Sequence, residues 1–202
     1  MGKQRSTDTR QRIVDAAMEL FRRKGSDGVN MRELAEKAAV NKGLLHYYFK
    51  SKEAIFREVF IHHAGLLWSE VREILEGEGE LPEKLPLIVE RYFALLGRMP
   101  SMPAFVLFEV QKDPGMLAKT ALKENMMRAA AALTPELRRR GLPPDRAEGL
   151  QFLLDLVALT AFTFGMLPGI AKVLKLNKAR QAAFLEQRKA HIISVLQQSF
   201  RL

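Results

Sequence analysis

A short segment of the chain, residues 42–52, concentrates side chains that suit contact with a nucleic acid. Lysine and histidine there can donate hydrogen bonds to base edges or phosphates, and tyrosine hydroxyls can reach phosphates. A glycine permits close approach, and a leucine offers an apolar surface to thymine methyl groups. The residues concerned are Lys42, Gly43, Leu44, His46, Tyr47, Tyr48 and Lys52. An aromatic run such as His46 to Phe49 is equally typical of a partly buried helix, so residue types alone leave both interpretations open.

Side chains for catalysis or metal binding are scarce. The chain has no cysteine and four histidines, which excludes disulfides and thiolate zinc sites. It has no Gly-rich phosphate loop, no G-x-S-x-G segment and no H-E-x-x-H segment. His62 and His63 are adjacent, so on a helix they point to different faces. We expect no enzyme activity, no cofactor and no metal site.

The N-terminal quarter of the chain is basic. Residues 1–52 hold twelve Lys and Arg against six Asp and Glu, whereas the other 150 residues hold twenty against seventeen. Most of the net charge of +9 therefore lies at one end, which suits a polyanion such as DNA. Charge that serves only solubility has the same composition. No apolar signal segment follows the polar residues 1–12, so we expect a cytoplasmic location.

Apolar residues recur with helical spacing along the chain, which predicts an all-α fold. Gly25 is placed to cap the end of the first predicted helix. The core face of that helix is predicted to be Ile13, Ala16, Ala17, Leu20 and Phe21.

Residues 30–52 are predicted to form two short helices joined by a tight turn. Asn30 with Glu33 forms a capping box for the first, and Asn41 caps the second. In a helix-turn-helix the second helix enters the DNA major groove. The residues predicted to pack the two helices together are Leu34, Ala35, Val40, Leu45 and Phe49.

The rest of the chain is predicted to form longer helices. Ser51 caps a long fourth helix that ends at Gly77, and Pro82 opens a fifth. Ser101 is predicted to cap a sixth helix, and Pro135 to kink or split a seventh.

The final part of the chain is predicted to hold two more helices. Asp145 and Glu148 form a capping box for the eighth, and Pro168-Gly169 interrupts it before a last helix that carries Phe184 and Ile192. We expect two domains: residues 1–52 for DNA binding, and residues 53–202 as a larger helical domain for ligand binding and dimerisation.

Two segments of this sequence resemble the signature of the TetR family of transcriptional regulators. They are residues 31–35, MRELA, and residues 40–52, VNKGLLHYYFKSK; residues 13–21 resemble the first helix of that family. The resemblance implies an all-α homodimer. Its first three helices would bind DNA, and its later helices would hold a small-molecule pocket and the dimer interface.

The same resemblance assigns roles to single residues. Asn30 takes the position that caps the second helix and meets a phosphate, while Tyr47 and Lys52 match the phosphate-contacting aromatic residue and lysine. The recognition positions are Lys42, Gly43, Leu44, His46 and Tyr47.

The sequence departs from the family pattern at four positions. Ala39 replaces a usual glycine and would be strained if the turn needs a positive φ. Asn41 replaces a serine and is an adequate cap. Leu44 and His46 replace Thr and Tyr, which changes the expected base preference and not the expectation of DNA binding.

These observations predict a transcriptional repressor that binds a near-palindromic operator as a homodimer. The run Leu150 to Leu167 is too apolar for the surface of a monomer, so the eighth and last helices are expected to form the dimer interface. Asp155 within that run disfavours a membrane span, and no membrane partner is expected. The alternative is a helical protein-interaction or lipid-binding module whose basic end meets acidic partners or membranes.

A small lipophilic effector is expected to bind within residues 55–170 and to release the DNA. Aromatic and methionine side chains would line its site, with a few polar groups for orientation. The predicted residues are Trp68, Tyr92, Phe93, Phe105, Phe108, Glu109, Met126, Phe152 and Asp155. Two of the three polar groups are acidic, which favours a neutral or cationic lipophile. A fully packed core would use the same residue types.

Overall fold

The computed structural model describes residues 2–24, 28–115, 121–145 and 148–202, and the regular elements among them are all α-helices. The predicted all-α fold is confirmed. The helices are α1 (Gly2–Lys24), α2 (Met31–Lys37), α3 (Lys42–Tyr48), α4 (Lys52–Glu76), α5 (Leu81–Arg98), α6 (Met102–Lys112), α7 (Ala121–Arg139), α8 (Gly149–Val173) and α9 (Lys178–Phe200). They form two compact units, Met1–Ala64 and Gly65–Leu202, whose boundary falls inside α4.

The first unit is organised around the apolar face of α1. All five residues predicted for that face are buried, which confirms the helical spacing. The ring of Phe21 lies 5.0 Å from the ring of Phe56 on α4, measured between centroids. Leu34 of α2 and Leu45 of α3 are fully buried in the same core. The cap predicted at Gly25 lies outside the described residues.

The turn between α2 and α3 places an alanine in the left-handed region. Ala39 has a φ of 52°, so the turn does need a positive φ and the expected strain is present. The N–H of Val40 donates to the carbonyl of Ala35 at 3.0 Å, which closes the turn. A residue with a Cβ loses about 1 kcal/mol in this conformation relative to glycine.

The second unit depends on a very close approach of α7 and α8. A Cβ built on Gly149 would lie 2.0 Å from the carbonyl oxygen of Ala130, so only glycine fits at the start of α8. The N–H of Gly149 donates to the hydroxyl of Thr134 at 3.0 Å, and that hydroxyl donates to the Ala130 carbonyl at 2.9 Å. This contact fixes where α8 begins against α7.

Four of the predicted helix boundaries and breaks are wrong. The capping box at Asp145 and Glu148 does not form, because α8 begins at Gly149 and Glu148 makes no side-chain capping bond. Ser101 precedes α6 in a helical conformation and makes no capping bond either. Pro168 does not interrupt α8, which continues to Val173.

Pro135 likewise lies inside a continuous helix, so the predicted split of α7 does not occur. Leu133 and Leu137, on either side of the proline, are both buried. Packing of these side chains outweighs the single backbone hydrogen bond that a proline removes. The same argument applies to α8, where Leu167 is buried next to Pro168.

The long apolar helix α8 is buried on one side only. Phe152, Leu156 and Phe164 face the core, whereas Leu154 and Phe162 are exposed. Among the described residues, α8 is long and apolar enough to cross a membrane by length and composition, and 33% of its most apolar window is buried. The pair α5 and α6, bent by 87°, passes the same test only if the two helices are counted as one span. The core helices of globular proteins share these properties.

Replacing Ala39 with glycine should stabilise the first unit. Glycine adopts the left-handed region without the Cβ clash, and its greater freedom in the unfolded chain offsets part of the gain. We expect an increase of roughly 0.5–1 kcal/mol in the free energy of unfolding, measured by urea denaturation. Ala38→Gly is the matched control: Ala38 has a φ of −78° and is buried, so this change should lower stability. A loss of stability in Ala39→Gly would contradict the strain.

Candidate functional site

The helix pair α2 and α3 is held by two asparagine caps. The Asn30 side-chain oxygen accepts from the N–H of Glu33 at 3.0 Å, which confirms the predicted cap of α2. The Asn41 oxygen accepts from the N–H of Leu44 at 2.7 Å, as predicted for α3. Each bond satisfies one of the free N–H groups at a helix start. The Glu33 carboxylate pairs with Lys24 of α1 and not with the backbone N–H of Asn30, so the second half of the capping box is replaced by an ion pair.

The next helix is also capped as predicted. The N–H of Ala54 donates to the Ser51 hydroxyl at 3.2 Å at the start of α4. Lys52 is the first residue of α4, where the helix dipole disfavours a cation by up to about 1 kcal/mol. A phosphate placed there would be favoured by both the lysine and the helix terminus.

The outer face of α3 presents most of the predicted DNA-binding residues to solvent. Lys42, Gly43, Leu44 and His46 are exposed, and Tyr47 is 79% exposed. Tyr48 and Lys52 are half-buried, and the Tyr48 ring packs edge-on against Tyr47 at 5.3 Å. Asn30 is exposed; its oxygen serves the cap, and its amide nitrogen remains available as a donor.

The cations of the first unit fall into two groups. Four on α1 and α2 are paired with carboxylates: Arg10 with Glu58, Lys24 with Glu33, Arg32 with Glu36 and Lys37 with Glu19. Within the described ranges, Lys42, Lys50 and Lys52 form no ion pair. Three cations without an ion pair among the described residues therefore lie on α3 or just after it, and Arg12 of α1 is another.

Lys50 belongs to this second group and was not among the predicted site residues. It is exposed between the end of α3 and Ser51. The sequence could have indicated this residue, because Lys50 and Lys52 flank Ser51, the cap of α4. Two cations beside a helix start suit contact with a phosphate backbone.

Arg10 has a structural role near this site. Its guanidinium lies over the Phe49 ring, 5.2 Å from the centroid, and it bonds to Glu58 of α4. The hydrogen bond to Glu58 is the main cause of the raised pKa of Arg10. Arg10 thus ties α1 to both the end of α3 and the first half of α4.

The residues predicted to bind a ligand differ widely in burial. Trp68, Tyr92, Phe93, Glu109 and Phe152 are buried, while Phe105, Met126 and Asp155 are half-buried. Phe108 is 55% exposed, and Lys112 lies 3.9 Å from its ring centroid. Phe108 is therefore a surface residue of this chain.

Aromatic contacts divide the buried members into separate pairs. Trp68 and Tyr92 pack edge-to-face with centroids 5.9 Å apart. Phe93 packs on Phe164 at 5.2 Å, and Phe152 on Phe200 at 4.9 Å, which are contacts of an ordinary core. Trp68 and Tyr92 are thus two members of the predicted set that contact each other through their rings.

The polar atom of Tyr92 is unsatisfied, as are the Nε atoms of Arg72 and Arg140. Within the described part of the chain its hydroxyl is buried and has no hydrogen-bond partner. Burial raises the pKa of this hydroxyl well above its ordinary value, so it stays protonated and can donate. Asp155, by contrast, accepts from the Gln151 amide at 3.0 Å. In residues 2–24, 28–115, 121–145 and 148–202, no three His, Asp or Glu side chains are grouped as a metal site would need.

Comparison with known proteins agrees with this geometry. Residues 13–59 match the family model for bacterial regulatory proteins of the tetR family. The chain is 26% identical over 194 residues to the HTH-type transcriptional regulator UidR of Escherichia coli, and the match covers 93% of each chain.

Solved structures share the fold over nearly the whole chain. A putative TetR-family transcriptional regulator from Mesorhizobium loti matches with a TM-score of 0.59 and 24% identity, over 96% of this chain and 97% of that one. The regulator FadR from Bacillus subtilis, solved in complex with stearoyl-CoA, matches with a TM-score of 0.55 and 19% identity, over 92% and 96%.

An all-helical chain with an N-terminal helix-turn-helix and an exposed, basic second helix defines a DNA-binding transcriptional regulator. Its N-terminal residues 13–59 match the TetR family of bacterial regulatory proteins, and the whole chain is similar in sequence and fold to regulators. Its relatives are regulators, which are not a class of enzyme.

Removing the cap of α3 should weaken the site by loosening the helix that presents it. Asn41→Ala loses the acceptor for the Leu44 N–H, and we expect a loss of about 1 kcal/mol in unfolding free energy, together with weaker DNA binding. Asn41→Ser keeps an acceptor and should retain most of both.

Asn177 offers a matched control in the second unit. Its side chain caps α9 by accepting from the N–H of Arg180 at 2.9 Å. Asn177→Ala should cost similar stability and leave DNA binding intact. Equal loss of DNA binding in both alanine variants would show that the effect is not specific to α3.

Proposed function

We propose that this protein is a homodimeric repressor that binds a near-palindromic operator and is released by a small lipophilic effector. The observation that carries the proposal is the outer face of α3. This helix is capped by Asn41 and exposes side chains that can donate hydrogen bonds. Lys42, Lys50 and Lys52, on or near it, form no ion pair in the described part of the chain. Lys42 and His46 would read base edges, while Tyr47, Lys50 and Lys52 would contact phosphates.

The outer face of α8 supports the homodimer. Leu154, Phe162 and Met166 are exposed at helical spacing, eight and four residues apart along one stripe. On α9, Phe184 and Leu185 are half-buried, so they can add to the same apolar surface. A surface of this kind on a regulator suits a second copy of the chain, since a two-fold axis pairs the stripe with itself.

A two-fold dimer would present two α3 helices to the two halves of an operator. We infer that residues 1–52 bind the DNA and that residues 53–202 provide the effector site and the dimer interface, in a protein of the cytoplasm. Because the free and bound dimers would differ in the spacing of the two α3 helices, an effector acts by favouring the free form. A tenfold release requires about 1.4 kcal/mol of differential affinity.

The related fold of FadR supports the effector, since that protein was solved with stearoyl-CoA bound. In the present chain the buried aromatic pair Trp68 and Tyr92 is the part of the predicted set best suited to a lipophile.

Substitutions on α3 should separate base contacts from phosphate contacts. Lys42→Ala and His46→Ala should change the preferred sequence, by about 1–3 kcal/mol where a bidentate base contact is lost. Tyr47→Phe and Lys52→Ala should weaken binding to all duplexes nearly alike, and Lys52→Ala should reduce the salt slope by about one. Selection of bound duplexes from a random pool, followed by titration at several salt concentrations, measures both effects.

Anionic vesicles serve as the comparison for this experiment. Binding to vesicles as tight as to the selected duplex, without sequence discrimination, would favour the alternative of a polybasic lipid-binding module. Unchanged DNA binding in all four variants would refute the assignment of α3.

A charge on the outer stripe of α8 should prevent dimerisation. Phe162→Glu would bury a carboxylate in the interface, and we expect a penalty of about 3 kcal/mol, or roughly a 100-fold higher dissociation constant. Leu107→Glu on α6 is the matched control, because Leu107 and Phe162 are both 67% exposed. Sedimentation should show a dimer for the native chain and for Leu107→Glu, and a monomer for Phe162→Glu. A native chain that is monomeric at micromolar concentration would contradict the homodimer.

A further inference from the structure

The turn between α8 and α9 concentrates cations that have no acidic partner. Residues 156–185 contain no Asp or Glu, and their four cations all fall within residues 172–180, KVLKLNKAR, which we call the basic turn. The turn carries a charge of +4, whereas residues 53–202 as a whole carry +3. Its cations are exposed and form no ion pair among the described residues: Lys172, Lys175, Lys178 and Arg180.

Two apolar side chains of the basic turn are exposed among these cations. Val173 is 78% exposed and Leu174 is 58% exposed, and a lysine lies on each side of the pair. The backbone fixes their position, because the N–H of Leu176 donates to the carbonyl of Ala171 at 2.8 Å and Lys175 adopts a left-handed φ of 50°. This is a regular hydrogen-bonded helix end. The exposure of the two side chains is therefore a property of an ordered turn.

The charges of the basic turn do not stabilise the fold. Lys178 and Arg180 lie in the first turn of α9, where the helix dipole disfavours a cation and where no acidic residue is present. Four like charges within nine residues also repel one another. An anionic partner would relieve both costs, and an apolar partner would cover Val173 and Leu174. The turn therefore has the chemistry of a surface for a partner that offers both.

An anionic membrane surface offers both properties together. Its phosphates attract nearby lysine and arginine side chains, and its interface accepts apolar side chains among the headgroups. A DNA backbone would pair with the cations but would leave Val173 and Leu174 in water. A second copy of this chain is disfavoured, because a two-fold axis at the turn would place the same cations against each other.

We propose that the basic turn binds the surface of a membrane that contains anionic phospholipids, with its four cations at the lipid phosphates and its two apolar side chains among the headgroups. Asp155 disfavours a membrane span by α8, and no membrane partner was expected on that ground. Contact between a turn and the headgroups requires no span. The proposal goes beyond the binding of an operator and an effector and does not depend on either.

Vesicles of phosphatidylglycerol and of phosphatidylcholine test the proposal with the full chain. The native protein should float with the anionic vesicles and not with the zwitterionic ones, and it should bind them more weakly than it binds its selected duplex. Binding should fall steeply with added salt, since the attraction is electrostatic. No flotation with phosphatidylglycerol, or equal flotation with both lipids, would overturn the proposal.

Neutral substitutions in the basic turn should weaken vesicle binding. Lys172→Gln and Lys178→Gln should each reduce the affinity for phosphatidylglycerol roughly fivefold, and the double variant roughly 30-fold. Lys123→Gln on α7 is the matched control, because Lys123 is also exposed and forms no ion pair in the described part of the chain. It should bind like the native chain, and all these variants should keep the native melting temperature. Equal affinity of the double variant and the native chain would contradict the proposal.

Leu174→Ser tests the apolar part of the contact without changing the charge. We expect roughly fivefold weaker binding to phosphatidylglycerol, because an apolar side chain no longer leaves water. Leu87→Ser on α5 is the matched control, since Leu87 is 57% exposed and Leu174 is 58% exposed. Native affinity in Leu174→Ser would mean that the turn attracts anions by charge alone, and insertion among the headgroups would be refuted.

Two further measurements separate this inference from DNA binding. Lys52→Ala should bind vesicles like the native chain; a loss there would assign lipid binding to the N-terminal basic end and overturn the proposal. Operator affinity should be native in Lys172→Gln and Lys178→Gln, and a loss in both would make DNA the partner of the turn. If the chain floats through the turn but selects no duplex, the membrane surface is supported and the proposed function fails. If it binds an operator and floats with neither lipid, the reverse holds.

Discussion

The candidate DNA-binding surface depends on two seven-residue helices, α2 and α3, that are too short to be stable alone. Isolated helices of this length are unstable in water, because forming the first turn costs more than the few later hydrogen bonds return. In this chain α2 and α3 are stabilised by the caps at Asn30 and Asn41 and by the complete burial of Leu34 and Leu45. Since packing occupies one face of α3, its donors are left on the opposite face, where DNA can reach them.

A similar constraint organises the second unit. The contact of Gly149 with the Ala130 carbonyl, together with the bond to Thr134, fixes the start of α8 against α7. Once the start is fixed, the helical period assigns every later side chain of α8 to one of two faces. Phe152 and Phe164 then lie in the core, and Leu154 and Phe162 lie outside it. One backbone approach thus sets both the core of this unit and its outer apolar stripe.

The two apolar regions of the second unit differ in what they lack. The stripe on α8 exposes hydrocarbon and lacks an apolar partner, which a second chain can provide. The Tyr92 hydroxyl is closed to water and has no hydrogen-bond partner among the described residues. Hydrophobic burial is non-directional and suits a large interface, whereas a single buried donor imposes direction and suits the orientation of a ligand.

The sequence by itself determined the features that depend on residues close together in the chain. The caps at Asn30 and Asn41 and the strained turn at Ala39 were predictable, because each involves groups within about four residues of each other. Tertiary structure alone decided that α7 continues through Pro135, because the buried residues beside it contact helices far away in the sequence. It also decided that the Tyr92 hydroxyl is buried without a hydrogen-bond partner among the described residues. The residue type fixes which hydrogen-bond donors and acceptors a side chain carries. Only the packing of helices that are distant in sequence decides whether those groups find partners.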